Sequence, residues 1–530
     1  MKKIHIIATL AVVLGLSGCK DFLSETPNKS GSAYINHMDQ LYGLMGNYSL
    51  YRSGYCWSEL IFRGDGVEYS PYYYKNFNPT ANAYSVWSWD NTYLATDNSV
   101  ANCTWTPSWN AIFSFNTVLE NMDRVEQTTP AVRKQVEGEA LFGRAYYHFL
   151  LLVQYALWDD NAPGIGYRTD ALPSDMSVMP ERKTVKYTLD CIYKDLDDAE
   201  AALTAAGRTT FELARNFRPT VPTLKALRAR IDLYRGNYTS ALANANAALA
   251  AYDYLLDFKN DPEYALNYEA EPLKFLNSTD TAVDSTFQYR RMQQLLTKGG
   301  EAFAKHPEFY LPHQSDLFFA NRILPISESY YDLFDHENDE RWKRFYNNNY
   351  ITYQTSIAKT VNIGGVDIPK CFTWADQQGI KEANRHAYQR FASQNGSSGK
   401  YYLLGMTTAE MYLIKAECLA RAGRTSEAAE ELKTLRRTRF TTEAEADNIG
   451  GSVEEVLDER AREMTELWRF FDIKRLNGKE NAGIKIKRTL PGSTAGSPDV
   501  DVEILPDDPR WALPFTFQQV VLMGWEQNAL

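Results

Sequence analysis

Two alanine-rich stretches far apart in the chain constrain its fold more than any other feature. Residues 222–250 read PTLKALRARIDLYRGNYTSALANANAALA, and residues 409–437 read AEMYLIKAECLARAGRTSEAAEELKTLRR. In the first, Leu224, Leu227, Ile231 and Tyr234 fall on one helix face. Gly236 breaks that helix, and Tyr238, Leu242, Ala245 and Leu249 begin a second. The later stretch repeats the scheme, with Gly423 as the break and Thr425 or Ser426 as the cap of the second helix. Alanines at helical spacing let two helix backbones approach closely. Each stretch therefore reads as a closely packed helix pair.

These pairs resemble tetratricopeptide units, with the Tyr-x-x-Ala start of the second helix. Further helices follow from periodicity. In WNAIFSFNTVLENMDRV, Ile112, Phe115, Val118, Leu119 and Met122 form one stripe. Residues 132–158 are helical until Pro163, Gly164 and Gly166, and 185–203 until Gly207. Residues 452–477 open acidic and close basic, as a helix dipole favours. Between the two pairs, only 328–346 reads as a clear short helix. A plain solenoid does not carry so long an interruption between neighbours. The predicted architecture is all-α: tetratricopeptide-like helix pairs form a scaffold, about 109–257 and 401–478. Irregular insertions occupy about 51–108 and 258–400, within one domain spanning 36–530. Residues 478–530 read as loops.

The N-terminus is basic at Lys2 and Lys3, then mostly apolar to Leu16, then small, then Cys19. The apolar run is too short for the ~20 residues that cross a bilayer. It reads as a signal peptide over 1–18, and the small residues leading into Cys19 resemble a bacterial lipobox. That resemblance implies cleavage before Cys19, lipid on Cys19, and a tether over 19–35. Net charge is −11, and −13 once Lys2 and Lys3 are removed. Such a balance argues against nucleic acid and anionic lipid as main partners. Cys56, Cys103, Cys191, Cys371 and Cys418 remain, an odd and scattered set without a C-x-x-C pair. One disulfide, such as Cys56 with Cys103, is compatible with an oxidising compartment. Most read as buried free thiols.

No motif for catalysis or a resident metal is present. H-E-x-x-H, G-x-S-x-G and P-loop patterns are missing. The acidic runs at 195–200 and 454–460 read as solvated or salt-bridged helix faces. His148, inside an apolar helix, reads as packed. DHENDE at 335–340 lacks the ligand spacing of a calcium loop. Trp105 and Trp109 read as core. The aromatics at 69–93 are different: Tyr72, Tyr73, Tyr74, Tyr84, Trp87, Trp89 and Tyr93 sit among Asn, Asp and Ser without helical period. Flat rings on a rigid loop match the C–H face of a sugar. Trp87 and Trp89 would share one face if extended. Tyr350, Tyr353 and Trp374 form a second, sparser set.

Several stretches in order resemble the SusD/RagB family of outer-membrane nutrient-binding lipoproteins. They are CKDFL, WNAIFSFNTVLENMD, EGEALFGRAYYHFLLLVQYALWDDNAP, VPTLKALRARIDLYRGNYTSALANA, MTTAEMYLIKAECLARAGRTSEAAEELKTLRRTR and LDERAREMTELWRFFDIKRLN. Departures are Phe113 for the usual Tyr, Gly143 within the usual FLRA order, and Leu467-Trp468 for Glu-Gly. The final LPFTFQQVVLMGWEQNAL follows the family pattern loosely. The resemblance implies a surface-exposed, lipid-anchored protein of the outer membrane. It would bind an oligosaccharide and pass it to a SusC-like TonB-dependent transporter, without bond cleavage and without a cofactor. It also implies a sugar platform with a Trp from the region before residue 109. Lys20 and Asp21 resemble an export tag for the outer face. The alternative within the fold is a RagB-like peptide-binding protein. An enzyme cutting the glycan and a ligand-free structural adaptor are the other readings.

Overall fold

The computed structural model describes residues 35–51, 60, 63–66, 82–96, 105–171, 179–260, 308–317, 327–347, 360–363, 366–369, 387–388, 392–394, 400–490 and 499–530. Cys19 and the signal and tether residues before 35 lie outside these. The fold is mostly helical, as expected, with a few short strands. In chain order the first helices are α1 (Met38–Met45), α2 (Asn82–Trp87), α3 (Asn91–Thr96), α4 (Trp105–Asn121), α5 (Pro130–Tyr155), α6 (Val185–Ala205), α7 (Val221–Arg235) and α8 (Tyr238–Ala251). The insert then carries β1 (Phe309–Leu317), α9 (Glu328–Tyr331), α10 (Glu340–Phe345), β2 (Tyr346–Asn347), β3 (Thr360–Ile363), β4 (Val366–Pro369), β5 (Ala387–Tyr388), β6 (Ala392–Gln394) and β7 (Lys400–Thr407). The chain closes with α11 (Thr408–Arg421), α12 (Thr425–Arg436), α13 (Glu443–Asp447), α14 (Val453–Glu480), β8 (Ile486–Leu490), β9 (Val500–Ile504) and α15 (Phe517–Met523).

Helices α4 to α8 stack in sequence order. The 26-residue α5 is about 39 Å long at 1.5 Å per residue. Thr129 caps its start, Pro130 fits its first turn, and its last two-thirds are buried on every side. A helix apolar all round belongs in the centre, and α1, α4 and α6 pack about it. Gly143 is explained here: a Cβ at that position would meet the Phe115 ring at 2.2 Å. The α7–α8 turn closes at Gly236, whose φ of +80° is left-handed.

Ala241, Ala245 and Ala248 of α8 are buried, and α8 packs on α7 and on α11. The two alanine-rich pairs, remote in sequence, are thus direct neighbours. Both ends of the interruption return to one place, so the stack continues across it. Helix α11 is capped by Thr407, and α14 opens on a capping box between Ser452 and Glu455.

Three further differences from the sequence reading have local causes. The predicted helix at 328–346 is two helices. The Asp335 carboxylate accepts the N–H groups of Glu337 and Asn338 at 3.0 and 2.9 Å, an Asx-turn that stops helix propagation. The insert holds an antiparallel sheet with β7 between β1 and β6, Leu317 facing Lys400 and Phe309 facing Thr407. The tail is a β8–β9 hairpin, a 3₁₀ turn at Pro509–Trp511 and α15.

Candidate functional site

The predicted aromatic platform divides on inspection. Trp87 ends α2 and Trp89 lies two residues beyond, so the segment is a helix end and turn. It is not the extended strand that the W-x-W spacing suggested. Both indoles are buried, Trp87 at 4% and Trp89 at 0% exposure. The Trp89 ring meets Trp511 edge-on at 4.8 Å and Phe470 at 6.0 Å. Its backbone is left-handed, with φ +60°. A bulky residue takes that conformation only where its surroundings over-determine it. Here the ring is held on three sides by the tail, α14 and Arg63.

Arg63 lies over Trp89 at 4.5 Å. It donates to Asn91 Oδ1 and, at 2.6 Å, to the carbonyl of Arg510. Burial, aided by the charge of Arg510, pushes the Arg63 guanidinium down to about 9. Arg488 donates to the carbonyls of Gly64 and Trp87. Arg469 holds Asp65 through two 2.9 Å bonds. This cluster fixes the chain at residues 63–66 and 82–96. Tyr93 is half-buried on α3. Tyr72, Tyr73, Tyr74 and the side chain of Tyr84 lie outside the described residues. So do Tyr350, Tyr353, Trp374, Cys56, Cys103 and Cys371. Trp87 and Trp89 are therefore packing residues of the described segment 82–96.

The insert contributes an aromatic group that the sequence reading did not single out. Tyr331, His336 and Trp342 pack together, with His336 3.9 Å from Tyr331 and 4.4 Å from Trp342. Tyr331 and His336 are half-buried. Aromatic spacing across a helix break carries no periodic signal, which is why pattern reading passes it over.

The acidic runs are largely salt-bridged, as expected, but two of their carboxylates are buried rather than on the surface. Asp195 is buried and takes Arg144 at 2.6 and 2.7 Å. Glu459 is buried against Arg341, Arg436 and Arg462. A second buried set joins α7, α11 and α14. In it Arg230 pairs with Glu410, Arg475 with Glu417 and Asp472, and Arg460 with Asp472. These carboxylates hold the helices together. Burial works against ionisation of Glu417, but Arg475 and Arg421 overcome it and hold the carboxyl down at about 2. Part of the sequence signal was available: Asp472 and Arg475, and Glu459 and Arg462, are opposite charges three residues apart on one helix.

His148 is packed, as expected. Its Nδ1 meets the Arg144 carbonyl at 2.8 Å, and its Nε2 accepts the Arg168 N–H at 3.0 Å. Burial pushes it down to about 3, so the ring is neutral. Trp105 and Trp109 are in the core. Cys191 and Cys418 are free thiols, and Cys418 is buried. In DHENDE, Asp335 caps its turn and Asp339 grips Arg341. Among the described residues no group of three or more His, Cys, Asp or Glu is placed to hold a metal. Among them, too, no helix is long and apolar enough to cross a membrane.

Comparison with known proteins adds the family. A family model described as starch-binding associating with outer membrane matches residues 65–249. A second, described as SusD family, matches residues 287–502. No curated protein matches the chain. Among solved structures, a SusD superfamily protein from Bacteroides thetaiotaomicron is 17% identical with a TM-score of 0.59, over 93% of this chain and 98% of the other. One from Bacteroides vulgatus is 17% identical at 0.57, over 93% and 99%. A laminarin-binding SusD-like protein is 15% identical at 0.54, over 93% and 99%. Those structures share the fold, and with two family models matching successive parts of the stack and insert, the chain belongs to the SusD/RagB family.

Proposed function

We propose that this protein is a surface-exposed, lipid-anchored glycan-binding protein. It captures an oligosaccharide and hands it to a SusC-like TonB-dependent transporter of the outer membrane. The observation that carries the reading is the match of residues 65–249 to the starch-binding, outer-membrane-associating family. The laminarin-binding neighbour of the same fold supports a saccharide as the ligand class. Cys19 carries the lipid. Binding uses rings of Tyr72, Tyr73, Tyr74 and Tyr84 from the first insertion, and of Tyr350, Tyr353 and Trp374 from the second. Trp87 and Trp89, buried, stay within the fold. No bond is broken; hand-over needs only affinity and a partner.

Calorimetry of the chain from Lys20 onward, against polysaccharides including laminarin and against peptides, tests this. Saccharide binding that is lost in Trp374→Ala or in a Tyr72/Tyr73/Tyr74→Ala variant, with the fold retained, is the expected result. Peptide binding alone would move the protein to the RagB-like branch. Turnover of the saccharide would sink the binding-only reading. Co-purification with an outer-membrane barrel, lost on Cys19→Ala, is expected for the anchored complex.

A further inference from the structure

The insert leaves the stack after α8 and rejoins it at α11, and its departing chain and the start of β1 meet at one side chain. Arg439, just beyond α12, is fully buried. All five of its N–H donors are used. Nε donates to Glu463 Oε2 at 3.1 Å. Nη1 donates to the Leu256 carbonyl at 2.5 Å and to Thr438 Oγ1 at 3.0 Å. Nη2 donates to Glu308 Oε1 at 2.7 Å and to Glu463 Oε1 at 3.0 Å. The guanidinium lies 4.1 Å over the Phe258 ring. Leu256 belongs to the departing chain, Glu308 directly precedes β1 within the insert, and Glu463 belongs to α14 of the stack.

Neighbouring bonds close the same junction. Glu308 Oε1 accepts the Leu256 N–H at 2.9 Å. The Glu308 carbonyl accepts the Thr408 N–H at 2.9 Å, and Thr408 Oγ1 donates to the Tyr254 carbonyl at 2.6 Å. Glu463 Oε2 also accepts Arg341 Nη1 at 2.9 Å, and Arg341 is gripped by Asp339. The helical part of the insert is thereby tied to the same carboxylate.

We propose that Arg439 is a positioning residue, a clamp that joins the departing chain at Leu256 and the start of β1 at Glu308 to α14 and so holds this root of the insert on the stack. A lysine carries three donors on one point and cannot span three partners in a plane. Removing one arm leaves the others as imperfectly paired buried charges. The consequence for ligand affinity rests on the glycan-binding reading above; the clamp itself does not.

Hydrogen exchange by mass spectrometry on the chain from Lys20 onward, with Arg439→Lys and Glu308→Gln, decides it. Peptides covering 254–259, 308–311 and 327–342 are expected to exchange at least about tenfold faster. Peptides of α5 and α7 should keep their protection. Unchanged exchange at the junction overturns the clamp. So does equal loss at junction and stack, which would make Arg439 an ordinary member of the global core. Should Arg439→Lys fail to fold, Glu308→Gln retains the guanidinium and weakens one of its arms, Thr408→Val removes the neighbouring bond to the Tyr254 carbonyl, and the same comparison applies. Laminarin is the binding probe. If the unsubstituted chain binds it, Arg439→Lys should lower affinity several-fold while the stack stays protected. If it does not bind, the exchange result still decides the clamp, and only the ligand reading fails.

Discussion

The helical stack and the root of the insert bury charge in opposite settings. In the stack, the Arg230–Glu410 and Arg475–Glu417 pairs lie beside one continuous apolar core built from α4 to α8, α11, α12 and α14. At the root, among the described residues, a smaller apolar cluster holds Leu256, Phe258, Tyr330, Phe334, Trp342 and Ala461, with Tyr331 and Leu333 packed against it. Around it stand Arg341 and Arg439 with Asp339, Glu308, Glu459 and Glu463. A small cluster supplies little hydrophobic stabilisation. The root instead takes its geometry from directional ion pairs, which specify position more than they stabilise. Pairs of this kind can place an insert without requiring it to have a large core of its own.

Acid should have the largest effect, because it strips carboxylates from both regions at once. Glu417 is held at about 2, below its ordinary 4.5, and Glu459 is shifted the same way by Arg341, Arg462 and Arg436 against its burial. A depressed folded-state value means that stability is complete above the unfolded value and is lost as protons bind. The urea midpoint should be level above about pH 5 and fall from about pH 4.5 towards 2. A midpoint unchanged at pH 2.5 would show that these pairs do not contribute as charges.

Glu463→Ala strikes the root alone. It leaves Arg341 and Arg439 short of a shared partner and should cost about 3–5 kcal/mol in urea unfolding. A cost below about 1 kcal/mol would mean that water replaces the carboxylate there. Gly143→Ala strikes the stack alone, by driving a methyl into the Phe115 ring. It should cost about 1–3 kcal/mol. Phe115→Leu in the same chain should recover part of the loss, and no recovery would point to a different clash. Ser452→Ala removes the cap of α14, the helix both regions share. Its expected cost is about 1 kcal/mol, with slightly faster amide exchange in the first turn of α14 and none elsewhere.

Much of the stack was legible because helices repeat a local rule. Leu224, Leu227, Ile231 and Tyr234 announced their face, and Gly236 its end. Ala241, Ala245 and Ala248 announced a tight contact but not its partner, α11, which lies beyond the whole insert. The candidate site was less legible. Trp87 and Trp89 were read as sugar-facing because alternate residues share a face on a strand, and the segment is a helix end. Asp195 and Glu459 were read as surface because single carboxylates favour water. Arg144 for Asp195, and Arg341 and Arg436 for Glu459, are partners that no spacing rule links to the carboxylate.

The sequence by itself determined the helix pairs, the breaks between them and the family pattern, because periodicity and capping are set by neighbours within a few residues. Only the tertiary structure decided that α8 meets α11 across the insert, that two tryptophans lie inward, and that Arg439 joins Leu256, Glu308 and Glu463. The reason is physical. A buried charge or ring is stable only with partners placed around it in space, and those partners come from parts of the chain that no local rule connects.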